Sequence, residues 1–163
     1  MKLVVCVIAL LLAAGQLPPK EGTVATLKDP KADFTKFTTY TWERGQETFD
    51  RTAHKAIVSA IDAEMAARGF RLLQTGKADV TIRYFSVLRT DVDLDQLEEM
   101  DKQNKPAPTK NLGRLVVVMR DASNNRVWAA DTVQPLDSER AKAYQEIAPI
   151  VGKLFATYPG PKK

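Results

Sequence analysis

A single imidazole, His54, and a single thiol, Cys6, narrow the chemistry open to this chain of 163 residues. A nucleophilic triad sets a hydroxyl beside an imidazole that a carboxylate orients. Ser59 and Ser86 are the hydroxyls to weigh, and neither stands in a Gly-x-Ser-x-Gly turn that would expose it as a nucleophile. His54 instead shares an apolar helical stripe with Ile57, Val58, Ile61 and Met65, near the stripe's N-terminal end. That position predicts a hydrogen-bonded packing role. General acid–base work by paired carboxylates is the remaining catalytic option, with Glu64, Asp79, Asp121 and Asp131 as its candidates, although spacing alone brings no two of them within glycosidase reach.

Two further constellations have a chemical and a structural reading. Asp91, Asp93 and Asp95 open like a calcium loop, but Gln96 stands where the turn needs glycine and Lys102 where the bidentate glutamate belongs. A solvated acidic loop is the expectation. Tyr40, Trp42, Tyr84 and Trp128 fall on strand-like segments and would suit a groove for a glycan, lipid or peptide. Aromatics so placed more commonly serve as core and cross-strand pairs. No Gly-rich phosphate loop, zinc-ligand spacing or dinucleotide fingerprint is present. No catalytic, cofactor-binding or metal-binding residue is therefore assigned, and no cofactor is expected. The charge balance is 24 Lys+Arg against 20 Asp+Glu, and the longest basic run is Lys162-Lys163, so no nucleic-acid partner is expected despite a pI near 9.2.

The elements that must position these residues follow from periodicity. Thr23 to Leu27 reads as an edge strand ended by Asp29-Pro30, and Thr35 to Trp42 as a strand with one aromatic face. Thr48 to Arg68 is an amphipathic helix closed by Gly69. Asp79 to Arg89 alternates as a half-buried strand. Asp91 to Lys110 breaks the pattern and predicts an exposed flap, with one helical turn near Leu94 to Met100. Its acidic half argues against burial. Leu112 to Asp121 reads as a central strand, followed by a turn at Ala122 to Asn125 and a strand over Arg126 to Val133. Ser138 is the expected cap of a last helix in which Pro149 should make a kink or restart, ended by Tyr158-Pro159-Gly160-Pro161. The sum is an α+β domain in two layers: a mostly antiparallel sheet of four to five strands, with two helices on one face and one parallel pair allowed across the first helix.

At 44% hydrophobic and 27% charged residues, the composition is that of one globular domain, placed at 23–159 with a tail at 160–163. Before it, Met1-Lys2, the apolar run Leu3 to Leu12 and the small residues Ala13 to Gly15 have the layout of a secretory signal peptide, 1–15, cleaved before Gln16. Residues 16–22 then form a linker. The run is too short for a membrane span, and Gln16 occupies the place where a lipoprotein carries its lipid-bearing Cys. Cys6 does not replace it, since Val5 precedes it. The mature chain is expected to be exported, periplasmic or envelope-associated, without a transmembrane span.

Several of these segments recur together in one pattern: Asp33-Phe34-Thr35-Lys36-Phe37-Thr38-Thr39-Tyr40-Thr41-Trp42, Ala56-Ile57, Arg68-Gly69-Phe70, Ala78-Asp79-Val80, Gly113-Arg114-Leu115-Val116-Val117, Asp121, Val127-Trp128 and Phe155-Ala156-Thr157-Tyr158-Pro159. In them the chain resembles the bacterial envelope family catalogued as domain of unknown function 4136, over about Thr23 to Pro159. The resemblance implies an envelope protein, commonly a lipoprotein, without an established activity or catalytic residue. Gln16 departs from the family in lacking the lipid attachment, and Ala130 stands where many members have Gly. The functional expectation is a non-catalytic exported domain that binds or scaffolds an envelope component (protein, glycan or lipid). The alternative is a periplasmic hydrolase using paired carboxylates.

Overall fold

The computed structural model describes residues 18–43 and 50–160. The expected signal segment therefore lies outside the described residues, as does the start of the first predicted helix at Thr48. Six strands and three helices follow in the order β1 (Val24–Lys28), β2 (Thr39–Trp42), α1 (Arg51–Ala67), β3 (Arg71–Leu72), β4 (Val80–Val92), α2 (Leu94–Lys102), β5 (Thr109–Asp121), β6 (Arg126–Leu136) and α3 (Arg140–Phe155). They form one mixed sheet in the order β1-β6-β5-β4-β2-β3.

Strand alternation sorts the sheet into two faces. The register opposes Ile82 to Met119 and Tyr84 to Val117, and these four side chains are buried with Val80, Leu115, Trp128 and Ala130 beneath α1 and α3. Ile57, Ile61 and Met65 of α1 and Val151, Leu154 and Phe155 of α3 close the core from above. The two helices run side by side in the same direction. Tyr144 near the start of α3 bonds Asp50 at the start of α1, and Phe155 at the end of α3 bonds Arg68 at the end of α1.

That C-terminal junction holds a buried cation. Arg68 is 5% exposed. Its guanidinium pairs with Glu64, donates to the Phe155 carbonyl at 2.6 Å and lies over the Phe155 and Tyr158 rings at 5.2 and 5.9 Å. A buried charge persists only when it is paired and hydrogen-bonded, and Arg68 obtains its partners from both helices. Gly69 follows at φ +78°, the left-handed turn that lets the chain leave α1 and lay Phe70 against Tyr40 and Tyr158.

Several expectations are corrected. The sheet has six strands rather than four or five, because Arg71–Leu72 adds a short strand at the edge. It contains two parallel pairs, β2 with β3 and β2 with β4. β2 begins at Thr39 rather than Thr35. Asp33 takes the Thr35 N–H and hydroxyl and its carbonyl accepts from Lys36, which turns the chain before the strand begins. Among the described residues there are three helices, not two; α1 and α3 cover the sheet, while α2 buries none of its residues. The flap is shorter than expected: β4 and β5 stay in register out to Val92 opposite Thr109, where β-branched residues favour the extended chain. Its acidic half is not wholly exposed either. Asp93 is buried and caps α2, accepting from the Asp95 N–H and the Gln96 side chain.

At the last helix, Glu139 is the N-cap instead of Ser138 and uses no side-chain bond. Pro149 does not restart α3, which is continuous from Arg140 to Phe155; the proline sits on the exposed face, so the carbonyl that loses its donor faces water. β6 runs on through Pro135 to Leu136. The missing N–H of Pro135 points toward β6's outer edge, past the last residue that β1 pairs with.

α1 is tied to β2 by Asp62, which accepts from the Tyr40 hydroxyl at 2.6 Å and from the Trp42 indole at 3.1 Å. Burial and the nearby carboxylate push the Tyr40 phenol up. Replacing Asp62 by Ala leaves a buried hydroxyl without its acceptor and should lower stability by about 1–3 kcal/mol, read as a fall in the urea midpoint at unchanged slope. Combining it with Tyr40→Phe should recover part of that loss, since the stranded donor is then gone.

Candidate functional site

The strands are longer than the helices that cover them, and the uncovered end of the sheet forms a cleft of about 730 Å³. Tyr84, Ser86, Leu88, Gly113, Leu115 and Leu136 make its floor. Ala53 and Ile57 of α1 and Ala143, Tyr144, Ile147 and Ile150 of α3 make its walls. Each half-buried wall residue continues a stripe whose remaining members lie in the core. Gly113 has a specific place here: a Cβ on it would meet Leu136 Cδ1 at 2.6 Å, so the missing side chain lets Leu136 lie flat across β5.

The polar groups at the rim are largely satisfied by one another. Asp50 caps α1 by accepting from the Thr52 and Ala53 N–H groups, both at 3.0 Å, and its second oxygen accepts from the Tyr144 hydroxyl at 2.6 Å. Asp137 accepts from the Glu139 N–H, and Glu146 accepts from the Asp137 N–H. The Tyr144 bond is the largest influence holding the Asp50 carboxyl below its ordinary value, while the same bond raises the Tyr144 phenol. Arg140 stands on the exposed rim close enough to Asp50 and Tyr144 to act on both. The first turn of α3 has no side-chain cap, and the charges at the cleft's mouth are mixed, with Arg140 standing among Asp50, Asp137 and the N-cap Glu139.

The residues singled out from sequence are dispersed by the fold. His54 is half-buried on α1, its Nδ1 at 2.6 Å from the Tyr84 hydroxyl, with a tilted ring contact beside it. Ser59 is exposed on α1, and Ser86 lies on the cleft floor. Each proposed acid is committed to a structural bond. Glu64 holds Arg68. Asp79 accepts from the Thr38 and Thr39 N–H groups, both at 2.9 Å, which keeps its carboxyl low. Asp121 accepts from Ser123 and Asn125 inside the β5–β6 turn, and Asp131 forks with Arg114 on the sheet face away from the helices. The structure does not bring two of them together as an acid–base pair.

Of the four strand aromatics, only Tyr84 lines the cleft. Trp128 is fully buried against Phe155 and Tyr158, Tyr40 is buried against Phe70, and Trp42 stands edge-on to Tyr84 at 6.3 Å. Asp93 serves as the cap of α2, and among the described residues no group of three His, Cys, Asp or Glu is arranged to hold a metal ion. Reasoning from sequence missed the cleft and its Asp50–Tyr144 latch. The stripes of α1 and α3 carry no signal for it, since they continue unchanged from the core residues onto the cleft walls.

A family model matches residues 24–160. The chain belongs to that family, the domain of unknown function DUF4136. None of the curated proteins matches it significantly. Among solved structures, this DUF4136 domain is similar to a PDZ domain protein from Parabacteroides distasonis, with a TM-score of 0.61 and 16% identity over 86% of this chain. The chain spans 36% of that protein's length. It is also similar to a PelC dodecamer from Paraburkholderia phytofirmans, with a TM-score of 0.53, 14% identity and coverage of 83% of this chain and 96% of the other. At such identities the likeness shows a shared fold.

The Asp50–Tyr144 latch sets a pH dependence for the DUF4136 domain. Its carboxyl is depressed in the folded state, so the stabilisation is present above the ordinary aspartate value of about 3.9 and is lost as the pH falls through the depressed one. The raised phenol puts the other limit above the ordinary tyrosine value of about 10. Tyr144→Phe should therefore be less stable than the parent at pH 7 by urea denaturation, and the gap should close in acid.

Proposed function

We propose that this DUF4136 domain is a non-catalytic binding domain of the bacterial envelope whose cleft takes the apolar chain of a single-chain lipid. The observation that carries this reading is an aliphatic cleft whose polar rim is already internally bonded. Its volume lies within the range of about 300–1,000 Å³ usual for small-molecule sites. A peptide would bring backbone N–H and C=O groups that need partners at every residue; the wall residues Ala53, Ile57, Ala143, Ile147 and Ile150 supply none from their side chains, and the Tyr144 hydroxyl is already given to Asp50. An acyl chain has no such groups. The mouth, where Arg140 stands among Asp50, Asp137 and Glu139, is polar and suits a headgroup that stays in water.

Export is part of the same reading. It rests on the signal-like layout of residues 1–15. Intact-mass measurement on protein from the periplasmic fraction should give a chain beginning at Gln16 without added lipid mass; full-length chain or a lipid adduct would overturn the export reading.

The binding reading is tested by titration with a dansyl-labelled long-chain fatty acid. Saturable one-to-one binding, displaced by the unlabelled acid, is the expected result. Leu88 is 68% exposed on the cleft floor, so Leu88→Glu should leave the fold intact and weaken binding by about tenfold or more. Leu94→Glu, equally exposed but on α2 outside the cleft, should bind as the parent does. Binding that is absent, or equal in both variants, would remove the cleft from the function.

A further inference from the structure

The same uncovered end leaves a strand edge exposed. β2 pairs with β4 only from Val80 to Ile82, and past that point no described strand lies on the outer edge of β4. The Ile82 carbonyl accepts from Glu43 N–H on that side, so by alternation the N–H and C=O groups of Leu88, Thr90 and Val92 also point outward. Residues 85–90 are all exposed, and Val87, Leu88 and Val92 are 57%, 68% and 45% exposed. An edge of this kind is normally blunted by Pro, Lys, a bulge or a short strand. β4 has neither Pro nor Lys, keeps an unbroken register with β5, and is 13 residues long.

The charges on this edge select the occupant. In an antiparallel pair of identical strands about a two-fold axis, the axial residue faces its own copy and neighbours pair symmetrically about it. With the axis at Thr90, Arg89 faces Asp91 of the second copy, Asp91 faces its Arg89, and Leu88 faces Val92. No neighbouring axis does this. An axis at Arg89 or Asp91 opposes like charges, one at Val92 sets Asp91 against Asp93, one at Ser86 sets Arg83 against Arg89, and one at Leu88 sets both charges against Val87 and Phe85; an axis at Val87 would face Arg83 with Asp91, but it places Val92 of the second copy at Ile82, whose outer edge β2 and Glu43 already take. Within one chain Arg89 and Asp91 already lie 3.0 Å apart, so the two copies would close a ring of four alternating charges.

We propose that two copies of this chain pair antiparallel through the Leu88–Val92 edge of β4, with the two-fold axis at Thr90, and join their sheets into one. The charge ring fixes register, while the backbone bonds and the Leu88–Val92 contacts supply the attraction. The pairing is independent of what occupies the cleft.

The test uses the full chain with Cys6→Ser and adds Thr90→Cys or Phe85→Cys. Opposed residues in a hydrogen-bonded antiparallel pair have Cα atoms about 5.5 Å apart, within disulfide reach. Thr90→Cys should therefore cross-link under mild oxidation, whereas Phe85→Cys, whose copies would sit ten residues apart along the pair, should not. By sedimentation, Arg89→Asp alone and Asp91→Arg alone should each weaken the dimer by about tenfold or more, and the two together should restore it, because opposite charges face each other again. A chain that stays monomeric at all concentrations, equal cross-linking at both positions, or folded single variants that the double exchange does not rescue would each overturn the proposal.

Discussion

The constraint on which the structure depends is a mismatch of lengths. β4 and β5 are 13 residues each and, at 3.3 Å per residue, extend about 43 Å; α1 and α3 have 17 and 16 residues and, at 1.5 Å per residue, reach only about 25 Å. The helices cannot cover the sheet from end to end. Arg68 decides which end stays bare. Its guanidinium is held by Glu64 and the Phe155 carbonyl and lies over the Phe155 and Tyr158 rings, so the C-terminal ends of both helices are fixed over Trp128 and Phe70. The overhang falls at the N-terminal ends, where Asp50 and Tyr144 join the helices again above the open floor. Removing one partner of a buried charge costs several times what an exposed pair is worth, which makes this position hard to slide.

Periodicity made most of the core legible, because the residues that repeat at 3/4 spacing in α1 and α3 and at 2 spacing in β4 and β5 are those that must meet. Ile57, Ile61, Met65, Val151, Leu154 and Phe155 all lie where their stripes place them. What periodicity does not encode is where the cover ends. Val80, Ile82 and Tyr84 are buried while Ser86 and Leu88, on the same face of the same strand, are exposed, and nothing in the alternation marks the change. The cleft was invisible for that reason. The extra strand was missed on a different ground: Arg71–Leu72 is only two residues long and owes its pairing to Thr38 and Tyr40 carbonyls that accept from Arg71 and Leu73. The end of the flap was misjudged because composition was weighed above β-branching at Thr90, Val92 and Thr109.

The carboxylates illustrate how spacing misleads about chemistry. Asp79 is a candidate by residue type alone, and its position at the head of a strand lets it accept two N–H groups from the turn entering β2, while its own N–H donates to the Thr39 hydroxyl. Asp121 and Asp50 are likewise bound to N–H groups of a turn and a helix start. Charge-assisted bonds of this kind favour the ionised form. A general acid requires the opposite, a carboxyl whose surroundings favour the proton, and the directions for Asp50, Asp79 and Asp121 are all downward. These three are built to stay charged and hold backbone in place.

The overhang also links the two surfaces that the fold leaves for other molecules. Leu88 is shared by both: its side chain lies on the cleft floor, and its backbone N–H and C=O point to the outer edge of β4. Side chain and backbone of one strand residue project in perpendicular directions, so a ligand above the sheet and a strand beside it do not compete for the same atoms. The overhang thus does more than leave apolar surface uncovered: the same few residues of β4 that lack a helix above them also lack, past Ile82, a described strand beside them.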